Sequence, residues 1–167
     1  MVPTALWIGV LLPLVIVFVV FAVPMITPTK DFEMPLLPGE KERCPVCGML
    51  VSPHRDWISQ VRHDDGTTVF FAGCKDLFKY LLTLDKFAPT KDRKNVASVF
   101  VTNYYDGEVI PARSAFFVIG SNVMGPMGSE LVAHRSVEAA EDFMEDHDGW
   151  RILRFDEVTE TVLREML

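Results

Sequence analysis

Runs of positive charge are missing from this sequence. Its 16 Lys and Arg are outnumbered by 23 Asp and Glu, for a formal net charge of -7, and no basic cluster exceeds the mixed Lys91-Asp92-Arg93-Lys94. That excludes a nucleic-acid surface, and the acidity suits solubility and weak attraction of cations or a basic partner. Also missing are a Gly-rich phosphate loop, a Ser-His-Asp order and a paired-carboxylate pattern, so there is no case for an enzyme. Cysteine is scarce: Cys44, Cys47 and Cys74 are the whole complement. Most of the thiol chemistry is therefore concentrated in one turn.

Residues 2 to 29 contain no charged side chain, and Leu6 to Ile26 is almost wholly apolar. At a rise of about 1.5 Å per residue this is long enough to cross a hydrocarbon core of roughly 30 Å. A cleaved signal peptide ordinarily has a Lys or Arg ahead of the apolar stretch and a small-residue site behind it, and neither is evident. No cysteine stands close behind the run to carry a lipid. Residues 5 to 26 are expected to form one membrane anchor within a region 1–27, with Pro13 and Pro24 tolerated. Charge does not orient it, because Lys30 is followed at once by Asp31 and Glu33. A Pro-, Thr- and Gly-rich linker over 28–42 then leads to a domain over 43–167.

That domain reads as α+β. Trp57 to His63 and Thr68 to Phe71 flank Asp64-Asp65-Gly66, a strong hairpin signal. Leu77, Phe78, Leu81 and Leu82 recur at helical spacing over Lys75 to Leu84, with Gly73 and Cys74 at the helix entrance. A second hairpin runs from residues 97–101 through Tyr105-Asp106-Gly107 to Val109-Ile110, followed by a strand over Ala115 to Ile119. Residues 121–129 read as loop. Ser136 is the expected N-cap of a helix over Val137 to Asp146, followed by a strand over Arg151 to Phe155 and a helix over Val158 to Met166. The pattern predicts two strand-strand-helix modules with antiparallel sheets, suggestive of an internal duplication.

The chemistry begins at Cys44-Pro45-Val46-Cys47-Gly48-Met49, three sulfurs in six residues. Two cysteines at this spacing serve a metal, a redox disulfide, or half of a structural Zn(II) site completed by Cys74 and a histidine such as His54 or His63. A redox pair belongs at a helix N-terminus, which the residues after Cys47 do not resemble. In an extended segment Cys47 and Met49 project to one face, and His54 can fold back onto it after Ser52-Pro53. Zn(II) rarely takes Met, whereas Cu(I) accepts thiolate and thioether alike. A second pair of thioethers, Met124 and Met127, sits in a Gly- and Pro-broken segment that is a poor core element and a reasonable soft-metal lid.

Taken together, Cys47-Gly48-Met49, Phe70-Phe71, the Asp76 to Tyr80 helix, Ala115 to Ser121, Met124-Gly125-Pro126-Met127-Gly128, Ala139 to Phe143 and His147-Asp148-Gly149 resemble the nitrous oxide reductase accessory proteins, NosL, a family of periplasmic Cu(I)-binding copper chaperones. The resemblance implies paired strand-and-helix modules, similar to part of organomercurial lyases. It implies delivery of copper to a nitrous oxide reductase or its ABC transporter, on the extracytoplasmic side of the membrane. Cys47, Met49 and His54 match the family's copper motif, and Met124 or Met127 its methionine loop. Members are commonly lipoproteins, whereas this chain has an apolar anchor without the lipid-bearing cysteine. Over Cys44 to Tyr80 it is also similar to small YHS and TRASH metal-binding domains, which leaves Cys44 and Cys74 open as ligands, a disulfide or free thiols.

Other prominent residues read blandly. Trp57 and Trp150 are expected to pack, Phe70-Phe71 and Phe116-Phe117 to be buried strands, His63 to be a solvated turn residue and His134 a surface histidine. The expected protein is an anchored Cu(I) carrier. A Zn(II) module using Cys44, Cys47, Cys74 and a histidine, and a thiol-disulfide reductant using Cys44 and Cys47, are the alternatives.

Overall fold

A computed structural model describes residues 34–166. The anchor expected over residues 5–26 lies outside the described residues; within them no helix is long and apolar enough to cross a membrane.

The first module is built on β1 (Ser59–His63), β2 (Thr68–Phe71) and α1 (Cys74–Leu82). Asp65 closes the β1–β2 turn by accepting the Thr67 N–H, and Gly66 takes the positive φ of 85° that the turn requires. After a short helical turn α2 (Leu84–Phe87), β3 (Val96–Thr102) pairs with the free edge of β1, and β4 (Val109–Pro111) extends the sheet. The order is β2-β1-β3-β4, antiparallel throughout.

The second module repeats the plan. β5 (Phe116–Ile119) pairs with β8 (Val132–His134), α3 (Val137–Asp146) follows, and β9 (Arg151–Arg154) returns to the other edge of β5, giving the order β8-β5-β9. In both modules the first strand is central, the second lies on one side, and the strand after the helix closes the other. The resemblance between the two sequence units thus extends to their topology. The Ser136 hydroxyl accepts the Ala139 N–H as the expected N-cap. A final helix, α4 (Glu160–Glu165), completes the chain, shorter than expected because extended Thr159 is its N-cap, its hydroxyl accepting the Val162 N–H; the 3-10 turn over Phe155–Glu157 ends β9 one residue early.

One apolar core joins the sheets, and α1 is its keel. Leu77 and Phe78 share one buried cluster with Val61, Phe71 and Val101 of the first sheet and Phe117, Ile119 and Leu153 of the second. Phe78 meets Phe117 edge to face at 5.1 Å.

Several expectations are corrected. His63 is buried, because the pleat of β1 turns it inward, and its Nε2 meets the Tyr80 hydroxyl at 2.8 Å. His134 is fully buried as well, packed against Tyr104, Tyr105 and Phe143. Trp150 is half-exposed and covers Gly120 rather than filling the core. Phe116 is only partly buried, its ring lying under the Arg154 guanidinium. Residues 121–129 are not merely loop: β6 (Met124–Gly125) and β7 (Gly128–Ser129) form a miniature hairpin with Pro126 and Met127 at its turn. The end of the linker is not free either, since Gln60 holds the backbone of Leu36 by two hydrogen bonds.

Candidate metal centre

The segment around the cysteines is a turn, not the extended stretch expected. Gly48 N–H donates to the Cys44 carbonyl at 2.8 Å, Cys44 N–H donates to the Met49 carbonyl at 2.9 Å, and Arg43 bridges Leu50. Gly48 makes this possible by adopting a φ of 78°, which side-chain-bearing residues seldom take. The corrected geometry changes which donors meet. A tight turn carries Cys44 and Cys47 to the same side, where a strand would have paired Cys47 with Met49.

Facing the turn is Asp76, one residue beyond Lys75 in the first turn of α1. The Cys44 and Cys47 sulfurs and an Asp76 carboxylate oxygen all lie within 4.8 Å of one another. Cys44 Sγ donates to Asp76 Oδ2 at 3.2 Å. Cys44 and Asp76 are buried and Cys47 is half-buried, so the group has one open side. All three cysteines are thiols.

Burial raises both thiol pKa values. Cys47 is pushed up to about 12 by desolvation first and then by its hydrogen bond to Asp76. Cys44 is raised by burial and by the negative Asp76, against the opposing pull of backbone amides of Cys47, Val46 and Ala72. The Met49 amide points likewise at the Cys47 sulfur. These amides are aimed at sulfurs that hold protons now. They would stabilise thiolates once a cation replaced those protons.

Asp76 is the residue that sequence reasoning missed. Its signal was an acidic side chain interrupting an inward helical stripe: Asp76, Leu77, Tyr80 and Leu81 are all buried, and a buried carboxylate needs a partner.

The remaining sequence candidates are placed as follows. Cys74 is fully buried and lies outside the three-residue group, its thiol pKa raised well above normal by burial and by Glu130. Two residues apart on a helix, Cys74 and Asp76 diverge by about 200°. His54 is half-buried at the start of a 3-10 turn over Arg55–Trp57, also outside the group. Met49 is half-buried at the end of the cysteine turn. Met127 lines a cavity of about 340 Å³ together with Asp76, Lys79, Leu82 and Leu163, whereas Met124 is more exposed and is not among the residues lining it. The structure thus brings Cys44, Cys47 and Asp76 together and puts Met127 on the cavity that opens beside Asp76.

The NosL family pattern matches residues 35–163. A curated relative, the copper-binding lipoprotein NosL of Stutzerimonas stutzeri, is 27% identical over 127 residues, covering 75% of this chain and 66% of the relative. The chain therefore spans just under two thirds of that relative's length. The crystal structure of the copper chaperone NosL from Shewanella denitrificans superposes with a TM-score of 0.64 at 26% identity, covering 77% of this chain and 97% of that one. With the family pattern running through both modules and the cysteine turn, the chain belongs to the NosL family.

Proposed function

We propose that this protein is a carrier of Cu(I), held outside the cytoplasm by the apolar segment 5–26, that passes the ion to the maturation of a nitrous oxide reductase, directly or through an ABC transporter. The observation that carries the reading is the convergence of Cys44, Cys47 and Asp76 within 4.8 Å, with Met127 on the adjoining cavity. Cys47, on the open side, is the central ligand. Cys44 is its partner, and Met49, His54 and the Met124–Met127 hairpin supply the further donors from which a soft, low-coordinate site is completed. Such a site binds firmly yet leaves an edge for a recipient's incoming ligand. Relatives named as copper-binding support the choice of cargo.

The reductant alternative is disfavoured by the same geometry. A thiol raised to about 12 is a poor nucleophile near neutral pH. The Zn(II) alternative draws support from one observation, the hard carboxylate oxygen of Asp76 between two thiols.

The test is anaerobic Cu(I) competition against a chromophoric chelator, with X-ray absorption to count sulfur ligands, on the full-length chain and on Cys44→Ser, Cys47→Ser, Met49→Ala and Asp76→Ala. A Cys47→Ser variant with undiminished Cu(I) affinity would refute the site. Tight Zn(II) binding that outcompetes Cu(I) would favour the Zn(II) reading.

A further inference from the structure

The methionine hairpin does not hold itself in place. Two β-pairs are too few for an independently stable hairpin, yet β6–β7 is where Met127 is presented. Among the described residues, the hydrogen bonds that tie 124–129 to the rest of the domain both come from one side chain. Lys75 Nζ donates to the Met127 carbonyl at 2.9 Å and to the Ser129 carbonyl at 2.6 Å.

The same residue is held from its backbone. Lys75 N–H donates to Glu130 Oε1 at 2.5 Å, and the Leu131 N–H donates to that oxygen at 3.0 Å. Glu130 follows β7 directly and is buried. It fills space left open by two glycines: a methyl on Gly73 would lie 2.1 Å from Glu130 Oε2, and one on Gly125 would lie 3.0 Å from its Cβ and Cγ. Gly73 precedes α1 and Gly125 belongs to β6. The carboxylate therefore locks the entrance of α1 to the hairpin, and the ammonium group locks the hairpin's turn to α1. Asp76 is the next residue along that helix.

We propose that Lys75 is a positioning residue which, with Glu130, latches the hairpin to α1 and so sets how the Met127 thioether is presented to the cavity beside Asp76. The inference rests on reading Cys44, Cys47 and Asp76 as the metal site. Lys75 touches no metal in this scheme; it acts through Met127. Its charge works against cation binding, because a fixed ammonium beside the cavity repels an incoming cation. Removing it therefore tightens binding if charge is its only role, and weakens binding if it is a latch. The two roles have opposite signs.

The experiment is Cu(I) competition on the full-length chain carrying Lys75→Leu, Met127→Ala, or both, with apo thermal unfolding in parallel. Lys75→Gln stands in where Lys75→Leu fails to fold, and Lys75→Arg serves as rescue. Met127→Ala should weaken Cu(I) by about tenfold, which is about 1.4 kcal/mol. Lys75→Leu should weaken it by a similar factor, with Lys75→Arg closer to wild type, and should add nothing once Met127 is gone. Additive effects in the double variant, unchanged or tighter binding in Lys75→Leu, or a Met127→Ala variant that binds like wild type would each overturn the latch. Failure of the underlying site is read separately, from Cys47→Ser retaining full affinity.

Discussion

The Cys44 sulfur donates a hydrogen bond to Asp76 across 32 positions of sequence, at 3.2 Å and in a buried setting. The contact fastens the cysteine turn to α1, the helix on which both sheets pack. An acidic group next to two protonated thiols is an arrangement that keeps the thiols protonated until a cation takes the place of the protons.

Replacing Asp76 by Asn should make the thiols more acidic. Burial is the first cause of the raised Cys47 pKa and Asp76 the second, so the value should fall from about 12 while staying above that of a free thiol. Alkylation by iodoacetamide at mildly alkaline pH should be faster in Asp76→Asn than in the native chain. An unchanged rate would mean that Asp76 does not govern the thiols.

Metal affinity should fall steeply with acid. Because the Cys44 and Cys47 pKa values lie above the ordinary thiol range, each thiol that becomes a ligand releases a proton throughout the neutral range. Apparent Cu(I) affinity should then drop about tenfold per pH unit for one displaced proton and about a hundredfold for two. Competition titrations at several pH values count the thiolates directly. A pH-independent affinity would exclude both.

His134 should make the fold acid-sensitive. Both ring nitrogens are buried without a hydrogen-bond partner, and burial, with the nearby His147 second, lowers its pKa to about 4. A depressed folded-state pKa means that the neutral form is the one the fold accepts. Its stabilising contribution is complete above the unfolded value of about 6.5 and is lost as pH falls towards 4, by about 3 kcal/mol. In His134→Leu the dependence of urea-unfolding free energy on pH across this window should flatten. A slope equal to that of the native chain would show that another group is responsible.

Gly120 should not tolerate a side chain. Its φ is 75°, and an added Cβ would fall 1.7 Å from Trp150 Cδ1. Gly120→Ala should cost about 1 to 2 kcal/mol through the left-handed backbone and drive the half-exposed Trp150 off its seat, seen as a red shift in tryptophan fluorescence. Unaltered stability and fluorescence would contradict this packing.

Much of the architecture was legible because it rests on local chemistry. Asp-Gly marked the first hairpin, the Leu77 to Leu82 spacing marked α1, and Ser136 marked the start of α3. His63 and His134 were misjudged because their burial depends on which strand face meets a helix, and that is not a local property. The miniature β6–β7 hairpin escaped notice because its two-residue strands carry no periodicity.

For the site, the sequence alone determined the inventory: three cysteines, two of them separated by two residues, thioethers at 49, 124 and 127, and a glycine at 48. Tertiary structure decided the company they keep. Gly48 bends Cys44 and Cys47 onto one side instead of alternating Cys47 with Met49. Helix geometry then sends Cys74 away and brings Asp76 to face them. Which side chains share a point in space depends on a backbone turn, a helix phase and the packing of two modules about α1, and no spacing along the chain encodes the distance between those three.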